Sequence, residues 1–113
     1  MATDDFCYLT TTGRRSGEPH RIEIWYAADD GGDTLYMLAG GGQASDWVRN
    51  LLVAPDVTIE VDGATRRARA RVLDSGDEAE MARTRVFDKY APRYDGDLTD
   101  WRGRALPVAF DLK

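Results

Sequence analysis

The sequence has only one cysteine, Cys7, and only one histidine, His20. A single cysteine cannot form an internal disulfide. One histidine, one cysteine and scattered carboxylates do not make a plausible ligand set for a metal ion, so we predict no metal site. Cys7 lies in a strand-like run, where a cysteine is typically a small buried hydrophobe and not a nucleophile.

Long apolar runs and an excess of basic charge are also missing. No stretch is apolar for long enough to cross a bilayer, so no membrane span is predicted. The N-terminal residues include Asp4 and Asp5 where a signal peptide carries basic residues, and we therefore expect a cytoplasmic protein. Fifteen basic and twenty acidic side chains give a net charge of −5, which argues against general attraction to nucleic acid. A bound anion must be held by a local basic cluster.

The length and composition predict one globular domain over residues 1–113, with 42% hydrophobic and 31% charged residues. Alternating and β-branched patterns predict six strands, at residues 6–12, 20–28, 34–39, 56–61, 64–73 and 106–112. One helix of about three turns is predicted from an N-cap at Ser45 to Pro55, and a second from Ser75 to near Pro92. Residues 93–105, with Trp101, are predicted as a loop.

Tight turns join the first three predicted strands, and this connectivity disfavours a parallel doubly wound sheet, which needs a helix between successive strands. The pattern instead predicts a mainly β protein with two helices, arranged as an antiparallel barrel with helical plugs.

A basic hairpin and a glycine-rich turn stand out in the first half of the chain. Arg14 and Arg15 occupy the hairpin tip, and the planar guanidinium fork suits phosphate and carboxylate groups. Residues 40–42 are three glycines ahead of the helix that begins at Ser45, and a helix N-terminus is a general anion site. Together the two segments predict an anion-binding cofactor site. Taken alone, a solvated hairpin tip and a flexible glycine turn are the simpler interpretations.

A second basic cluster lies on the strand predicted at residues 64–73. Alternation places Arg67, Arg69 and Arg71 on one face, opposite Ala68 and Ala70. We interpret these arginines as an exposed, charged strand face that discourages edge pairing. RNA binding is a minor alternative, because the interleaved aromatic residues that stack on bases are absent.

Several sequence segments, spread over nearly the whole chain, occur in a specific combination. They are LTTTGRRSG at residues 9–17, Trp25-Tyr26, SDWVRNL at residues 45–51, Pro55 with Val57, Tyr90, Pro92, Tyr94 and Trp101. In this combination the chain resembles the deazaflavin-dependent nitroreductase-like oxidoreductases, which use coenzyme F-420. The resemblance implies a split antiparallel β-barrel, like that of the pyridoxamine-phosphate oxidases. It also implies hydride transfer from reduced F-420 to a conjugated or electron-poor small molecule, such as a quinone or nitroaromatic.

The resemblance also implies site residues. In relatives the hairpin tip holds the phosphate and acidic tail of the coenzyme, and the deazaflavin ring lies against the end of the third strand. The implied cofactor-binding residues are Thr12, Gly13, Arg14, Arg15, Ser16, His20, Arg21, Trp25, Ala39, Gly40, Gly41, Gly42, Trp47, Arg49 and Asn50. Tyr90 and Tyr94 are the implied catalytic residues, because a phenol can give a proton or hydrogen bond to the acceptor. Packing is the alternative role for Trp47 and for both tyrosines.

Two positions depart from the pattern of the relatives. Relatives often have a basic residue directly after the hairpin proline, whereas this chain has His20 there and Arg21 one residue later. A displacement of one residue along a strand points a side chain to the opposite face, so Arg21 is not expected to restore that contact. His20 is alternatively a haem ligand, a pH switch or a surface residue. Many relatives also have a small hydroxyl residue near Gly40, and its absence removes one hydrogen bond to the ring.

Two other functions stay open. The first is a non-catalytic carrier of a flavin, deazaflavin or haem. The second is an FMN-dependent dimer, because split barrels commonly bind FMN at a subunit interface, and this makes FMN the second cofactor candidate. The expected partner is a small-molecule acceptor, with no nucleic acid and no membrane span, and the expected state is a monomer or homodimer.

Overall fold

Seven strands and three α-helices occur in the part of the chain that the computed structural model describes, residues 6–94 and 96–113. The acidic N-terminal residues of the signal-peptide argument lie outside these described residues. The strands are β1 (Cys7–Thr12), β2 (Pro19–Ile24), β3 (Ala27–Ala28), β4 (Thr34–Ala39), β5 (Asp56–Val61), β6 (Ala64–Val72) and β7 (Leu106–Leu112). The helices are α1 (Asp46–Val53), α2 (Asp77–Tyr90) and α3 (Thr99–Arg104), and short 3₁₀ turns form at Gly42–Ala44 and Ala91–Arg93.

The strands form one antiparallel sheet in the order β2-β1-β5-β6-β7-β4-β3. The two edge strands, β2 and β3, are consecutive in the chain and are joined only by Trp25 and Tyr26. A link of three residue steps reaches at most about 11 Å, so the sheet must curl until its two edges are close. The predicted mainly β split barrel is therefore confirmed. Its seam lies at Trp25 and Tyr26.

Two apolar layers pack on the curled sheet, one inside the barrel and one against part of its outer face. The barrel interior contains Leu9, Met37, Ile59 and Phe110, each at most 1% exposed. Cys7 belongs to this interior, as its sequence context predicts. A second layer packs α2 and the segment 98–105 against the outer face of β4 and β7. Because β4 is covered on both faces, its sequence is apolar at nearly every position instead of alternating.

The first predicted helix is shorter than expected. The helix α1 has eight residues, which is just over two turns, because it ends at Val53: Ala54, the residue before Pro55, leaves the helical region with a φ of −130° and a ψ of 89°. Ser45 occupies the N-cap position, but its side chain makes no capping hydrogen bond. The second helix begins at Asp77 and not at Ser75, because Gly76 adopts a φ of +102° that interrupts the helical backbone.

The predicted strand 20–28 and the predicted loop around Trp101 are wrong. The strand breaks at Trp25 and Tyr26, which leave β2 before the short β3 begins. Residues Thr99–Arg104 form the helix α3, so there are three helices instead of two. This helix has only six residues and contains Gly103, which is too little for an apolar period to show. The side chain of Asp97 accepts a hydrogen bond from the Thr99 N–H at 2.9 Å and supports its first turn.

Arg71 links the sheet to α2. Its guanidinium donates to both carboxylate oxygens of Glu78, each at 3.0 Å, and to both of Asp111, at 2.6 and 3.0 Å. These hydrogen bonds lower the pKa of the Glu78 carboxyl and the pKa of the Asp111 carboxyl below their usual values. Arg67 and Arg69 are exposed beside it, opposite the buried Ala68 and Ala70, so the predicted charged strand face is confirmed.

The Arg71 network predicts that stability falls in acid. A carboxyl whose pKa is lower in the folded state stabilises the protein above its unfolded pKa, near 4, and loses this effect as the pH falls through the folded pKa. The three side chains are 36–44% exposed, so we expect Arg71→Met to cost only about 1 kcal/mol at pH 7 and less at pH 3. Urea unfolding at the two pH values measures this difference. Arg67→Met is the control, and an equal pH dependence in both variants would contradict the assignment.

Candidate functional site

A small pocket forms where the β1–β2 hairpin folds back against the start of α1. It has a volume of about 260 Å³ and is lined by Gly13, Arg14, Arg15, Ser16, His20, Asp46 and Asn50. We call it the basic pocket. The structure thus brings the predicted hairpin tip and the predicted helix together at the end of β1.

Asn50 holds the hairpin onto α1. It is 4% exposed, its Nδ2 donates to Thr11 Oγ1 at 3.1 Å, and its Oδ1 accepts from the Arg14 backbone N–H at 3.2 Å and from Arg14 Nη1 at 2.9 Å. Arg14 is therefore fixed by its backbone as well as by its side chain. Thr11 was not among the predicted site residues, although strand alternation places it on the buried face with Leu9.

The charged groups of the basic pocket differ in how far they are already paired. Arg14 also contacts Asp46 at 3.4 Å, an acid that was not predicted in the site. Arg15 is exposed, and within residues 6–94 and 96–113 its side chain has no hydrogen bond or ion pair. Arg15 is thus the guanidinium most available to an incoming anion.

His20 and Arg21 point in opposite directions from β2. His20 pairs with Thr11 in the sheet and lines the basic pocket. A Cβ atom on Gly13 would lie 2.6 Å from His20 Nε2, so only glycine leaves room for this imidazole. Arg21 contacts Glu60 at 3.2 Å and lies over the Tyr8 ring at 4.2 Å, on the other face of the sheet. Arg21 accordingly does not line the basic pocket.

A larger cavity of about 500 Å³ opens at the barrel seam. It is lined by Phe6, Glu23, Ile24, Trp25, Leu38, Tyr94, Asp97, Leu98 and Trp101. We call it the aromatic cavity. The Trp25 ring meets the Trp101 ring at 88° and the Tyr94 ring at 79°, with ring centroids 5.7 and 5.8 Å apart. Of these residues, Trp25 and Tyr94 were predicted in the site. Trp101 is among the residues that carry the family resemblance, and the others belong to no motif of their own.

The two predicted catalytic tyrosines have different environments. Tyr94 is 50% exposed and lines the aromatic cavity. Tyr90 is 3% exposed, lies parallel to the Trp25 ring with centroids 4.4 Å apart, and does not line the cavity. Its hydroxyl accepts from the Tyr26 N–H and donates to the Tyr26 carbonyl, both at 3.1 Å. Burial raises the pKa of Tyr90 to about 12.

The basic pocket and the aromatic cavity are neighbours along the same elements. On β2, His20 lines the pocket and Ile24 lines the cavity, on the same strand face and about 13 Å apart at ~3.3 Å per residue. Leu38 of β4 lines the cavity and Asp46 of α1 lines the pocket, with the glycine turn between them. One elongated ligand can therefore occupy both.

The glycine turn brings backbone close to the side chains around it. A Cβ atom on Gly40 would lie 3.3 Å from Trp101 Nε1, and one on Gly41 would lie 2.7 Å from Ser45 Oγ. Gly42 adopts a φ of +60°. The place where relatives carry a small hydroxyl residue is thus directly beside Trp101 in this chain.

The remaining predicted cofactor residues lie outside the linings of the pocket and the cavity. Trp47 packs against Phe110 with ring centroids 6.4 Å apart, which favours the core role. Ala39 is 1% exposed at the end of β4, whereas Thr12 and Arg49 are exposed.

A comparison with known families decides the identity of the chain. The family model of F-420H2-dependent quinone reductases matches residues 1–113. The chain belongs to this family. It is therefore an F-420-dependent oxidoreductase with coenzyme F-420 as its cofactor, as the sequence resemblance implies.

Solved structures share the fold at low sequence identity. An F-420-H2-dependent reductase (FDR-A) is 20% identical, with a TM-score of 0.74 over 100% of this chain and 97% of that chain. A conserved hypothetical protein from Mycobacterium tuberculosis is 18% identical, with a TM-score of 0.76 over 97% of this chain and 74% of that one. The heme storage protein HutZ from Vibrio cholerae is 15% identical, with a TM-score of 0.68 over 96% and 82%.

The residues of the basic pocket fit an anionic coenzyme. Arg14, Arg15 and Ser16 supply donors, and Gly13 leaves room beside the hairpin tip for the His20 imidazole. Asp46 opposes an anion, but its charge is offset by Arg14.

Among the residues that the structure describes, no helix is both long enough and apolar enough to cross a membrane.

Proposed function

We propose that this family member reduces a conjugated, electron-poor acceptor, a quinone or a nitroaromatic, bound in the aromatic cavity. The observation that carries this proposal is the pairing of two adjacent sites of opposite character. The basic pocket suits the anionic end of coenzyme F-420, and the aromatic cavity about 13 Å further along β2 suits a planar acceptor.

The basic pocket holds and orients the coenzyme in this proposal. Arg14 and Arg15 bind its phosphate and acidic tail, with Arg14 fixed in place by Asn50. The glycine turn lets the backbone approach the ring closely. When bound, reduced F-420 supplies a hydride.

The aromatic cavity holds the acceptor in this proposal. Trp25 and Trp101 give flat apolar surfaces for a conjugated ring. A quinone that takes up one hydride and one proton becomes a hydroquinone, and a nitro group that takes up one hydride and one proton becomes a nitroso group and water. Tyr94, which lines the cavity, is the phenol placed to donate a hydrogen bond or proton to the acceptor oxygen. We assign Tyr90 a structural role, because its hydroxyl is engaged by the Tyr26 backbone.

Multiple-turnover oxidation of reduced F-420 tests the proposal. The purified chain is mixed with reduced coenzyme and a short-chain naphthoquinone or a nitroaromatic, and the absorbance of the oxidised coenzyme is followed. We expect many turnovers per protein molecule, together with a much higher affinity for F-420 than for FMN in parallel titrations. Tight coenzyme binding without oxidation by any activated acceptor would instead indicate a carrier, and preferential binding of FMN would replace the coenzyme assignment.

A further inference from the structure

The charge of the aromatic cavity points to the kind of acceptor it takes. We propose that this cavity selects acceptors that carry a positive charge and rejects anionic ones, with Glu23 and Asp97 as the specificity-determining residues. The inference rests on the proposed function, which places the acceptor in this cavity. It adds a charge preference that quinone or nitroaromatic chemistry by itself does not require.

The aromatic walls of the cavity suit a cation. Trp25 is backed by the stacked Tyr90 ring and meets Tyr94 and Trp101 at nearly right angles. Tryptophan and tyrosine faces attract organic cations, and rings set at right angles around one space are the arrangement that recognises quaternary ammonium groups. Phe6, also in the lining, adds a further apolar surface.

The charged residues of the lining are all acidic. Glu23 and Asp97 line the cavity, and its lining contains no lysine, arginine or histidine among the described residues. Glu23 has no ion pair within residues 6–94 and 96–113, in contrast to Asp56, Glu60, Glu78 and Asp111, each of which contacts a basic side chain. The Thr99 N–H lowers the pKa of Asp97, so this carboxylate is ionised at neutral pH.

The opposite charges of the basic pocket and the aromatic cavity favour the same placement of coenzyme and acceptor. An anionic coenzyme is attracted to the basic pocket and repelled by Glu23 and Asp97, so the acids keep its tail out of the aromatic cavity. A cationic acceptor is drawn to the cavity and also towards the bound anionic coenzyme. An anionic acceptor meets repulsion from both, which the structure does not offset with any basic residue in the cavity lining.

Three acceptors on one skeleton test the proposal: a para-nitrobenzyl trimethylammonium cation, neutral para-nitrobenzyl alcohol and the para-nitrobenzoate anion. We measure kcat/KM for each with reduced F-420, and binding of each to the coenzyme-free protein by ligand-observed NMR. For the unaltered chain we expect the cation to exceed the anion by about tenfold or more in both measurements. The double variant Glu23→Gln, Asp97→Asn should reduce this ratio to near one, with the neutral alcohol measured in each variant as the reference compound. Asparagine at position 97 keeps an oxygen acceptor for the Thr99 N–H, so α3 is preserved.

Asp88→Asn is the matched control, because it removes a carboxylate from an exposed position of α2 that lines neither site. It should leave the cation preference intact. An equal preference for all three compounds, or the same loss in Asp88→Asn as in the double variant, would overturn the proposal. If no acceptor is reduced, the proposed function fails, and the binding measurement still decides the charge preference.

Discussion

Replacing both Arg14 and Arg15 with alanine is expected to weaken binding of reduced F-420 by at least about 100-fold. Each charged hydrogen bond lost to the coenzyme is worth roughly 1.5–3 kcal/mol, and about 1.4 kcal/mol corresponds to a factor of ten. The fold should persist, because the Arg14 backbone N–H still donates to Asn50 and the contact with the exposed Asp46 contributes little. Fluorescence titration with the coenzyme gives the affinity, and thermal unfolding confirms the fold.

The double variant Arg67→Ala, Arg69→Ala is the matched control for that experiment. It removes the same two positive charges from an exposed face of β6, away from the basic pocket. Its affinity for the coenzyme should stay within about twofold of the unaltered chain, because exposed charges more than a Debye length away, about 8 Å, are screened at physiological salt. Equal losses in both double variants would assign the effect to net charge instead of to the hairpin tip, and undiminished affinity without Arg14 and Arg15 would reject the pocket.

Local patterns in the sequence were sufficient for most of the fold. The predicted strands at residues 34–39, 56–61 and 106–112 match β4, β5 and β7, because apolar runs and the turn residues that bound them are local signals. The break at Trp25 and Tyr26 could not be predicted in this way. It depends on Tyr90, which lies 64 residues away in the sequence and supplies the hydrogen bonds that the sheet does not.

The basic pocket and the aromatic cavity also differ in how far local sequence patterns predict them. The basic pocket comes from two short segments, the hairpin tip and α1, and both carry recognisable residues, so its main members were predicted. The aromatic cavity is built from residue 6, residues 23–25, residue 38 and residues 94, 97, 98 and 101, which meet only when the barrel curls. Neither Glu23 nor Asp97 is itself part of a recognisable motif. Their shared location is a property of the fold and not of any local pattern.

Tyr90→Phe is expected to lower the free energy of unfolding by about 1–3 kcal/mol, because it removes a buried hydroxyl that satisfies backbone groups of Tyr26. That hydroxyl bonds both the N–H and the carbonyl of Tyr26, at the seam where β2 and β3 leave the sheet ladder. Lys89 Nζ also donates to the Tyr26 carbonyl at 2.7 Å, so the carbonyl keeps a partner, whereas the N–H loses the hydroxyl as its acceptor. Phenylalanine keeps the ring that stacks on Trp25, which preserves this wall of the aromatic cavity.

Urea unfolding gives the free energy of unfolding of Tyr90→Phe and of a control variant, Tyr36→Phe. The comparison shows whether the Tyr90 hydroxyl stabilises the barrel seam by more than the loss of any buried tyrosine hydroxyl would cost. The Tyr36 hydroxyl donates to Glu78, a carboxylate that is 36% exposed and that keeps Arg71 as a partner, so its removal should cost about 1 kcal/mol, as for an ordinary hydrogen bond. Turnover per folded molecule gives the second readout. A stable Tyr90→Phe protein with kcat reduced more than about tenfold would make Tyr90 a proton donor after all. A destabilised protein with nearly unchanged kcat follows if, as we infer, the Tyr90 hydroxyl closes the barrel and Tyr94 faces the acceptor.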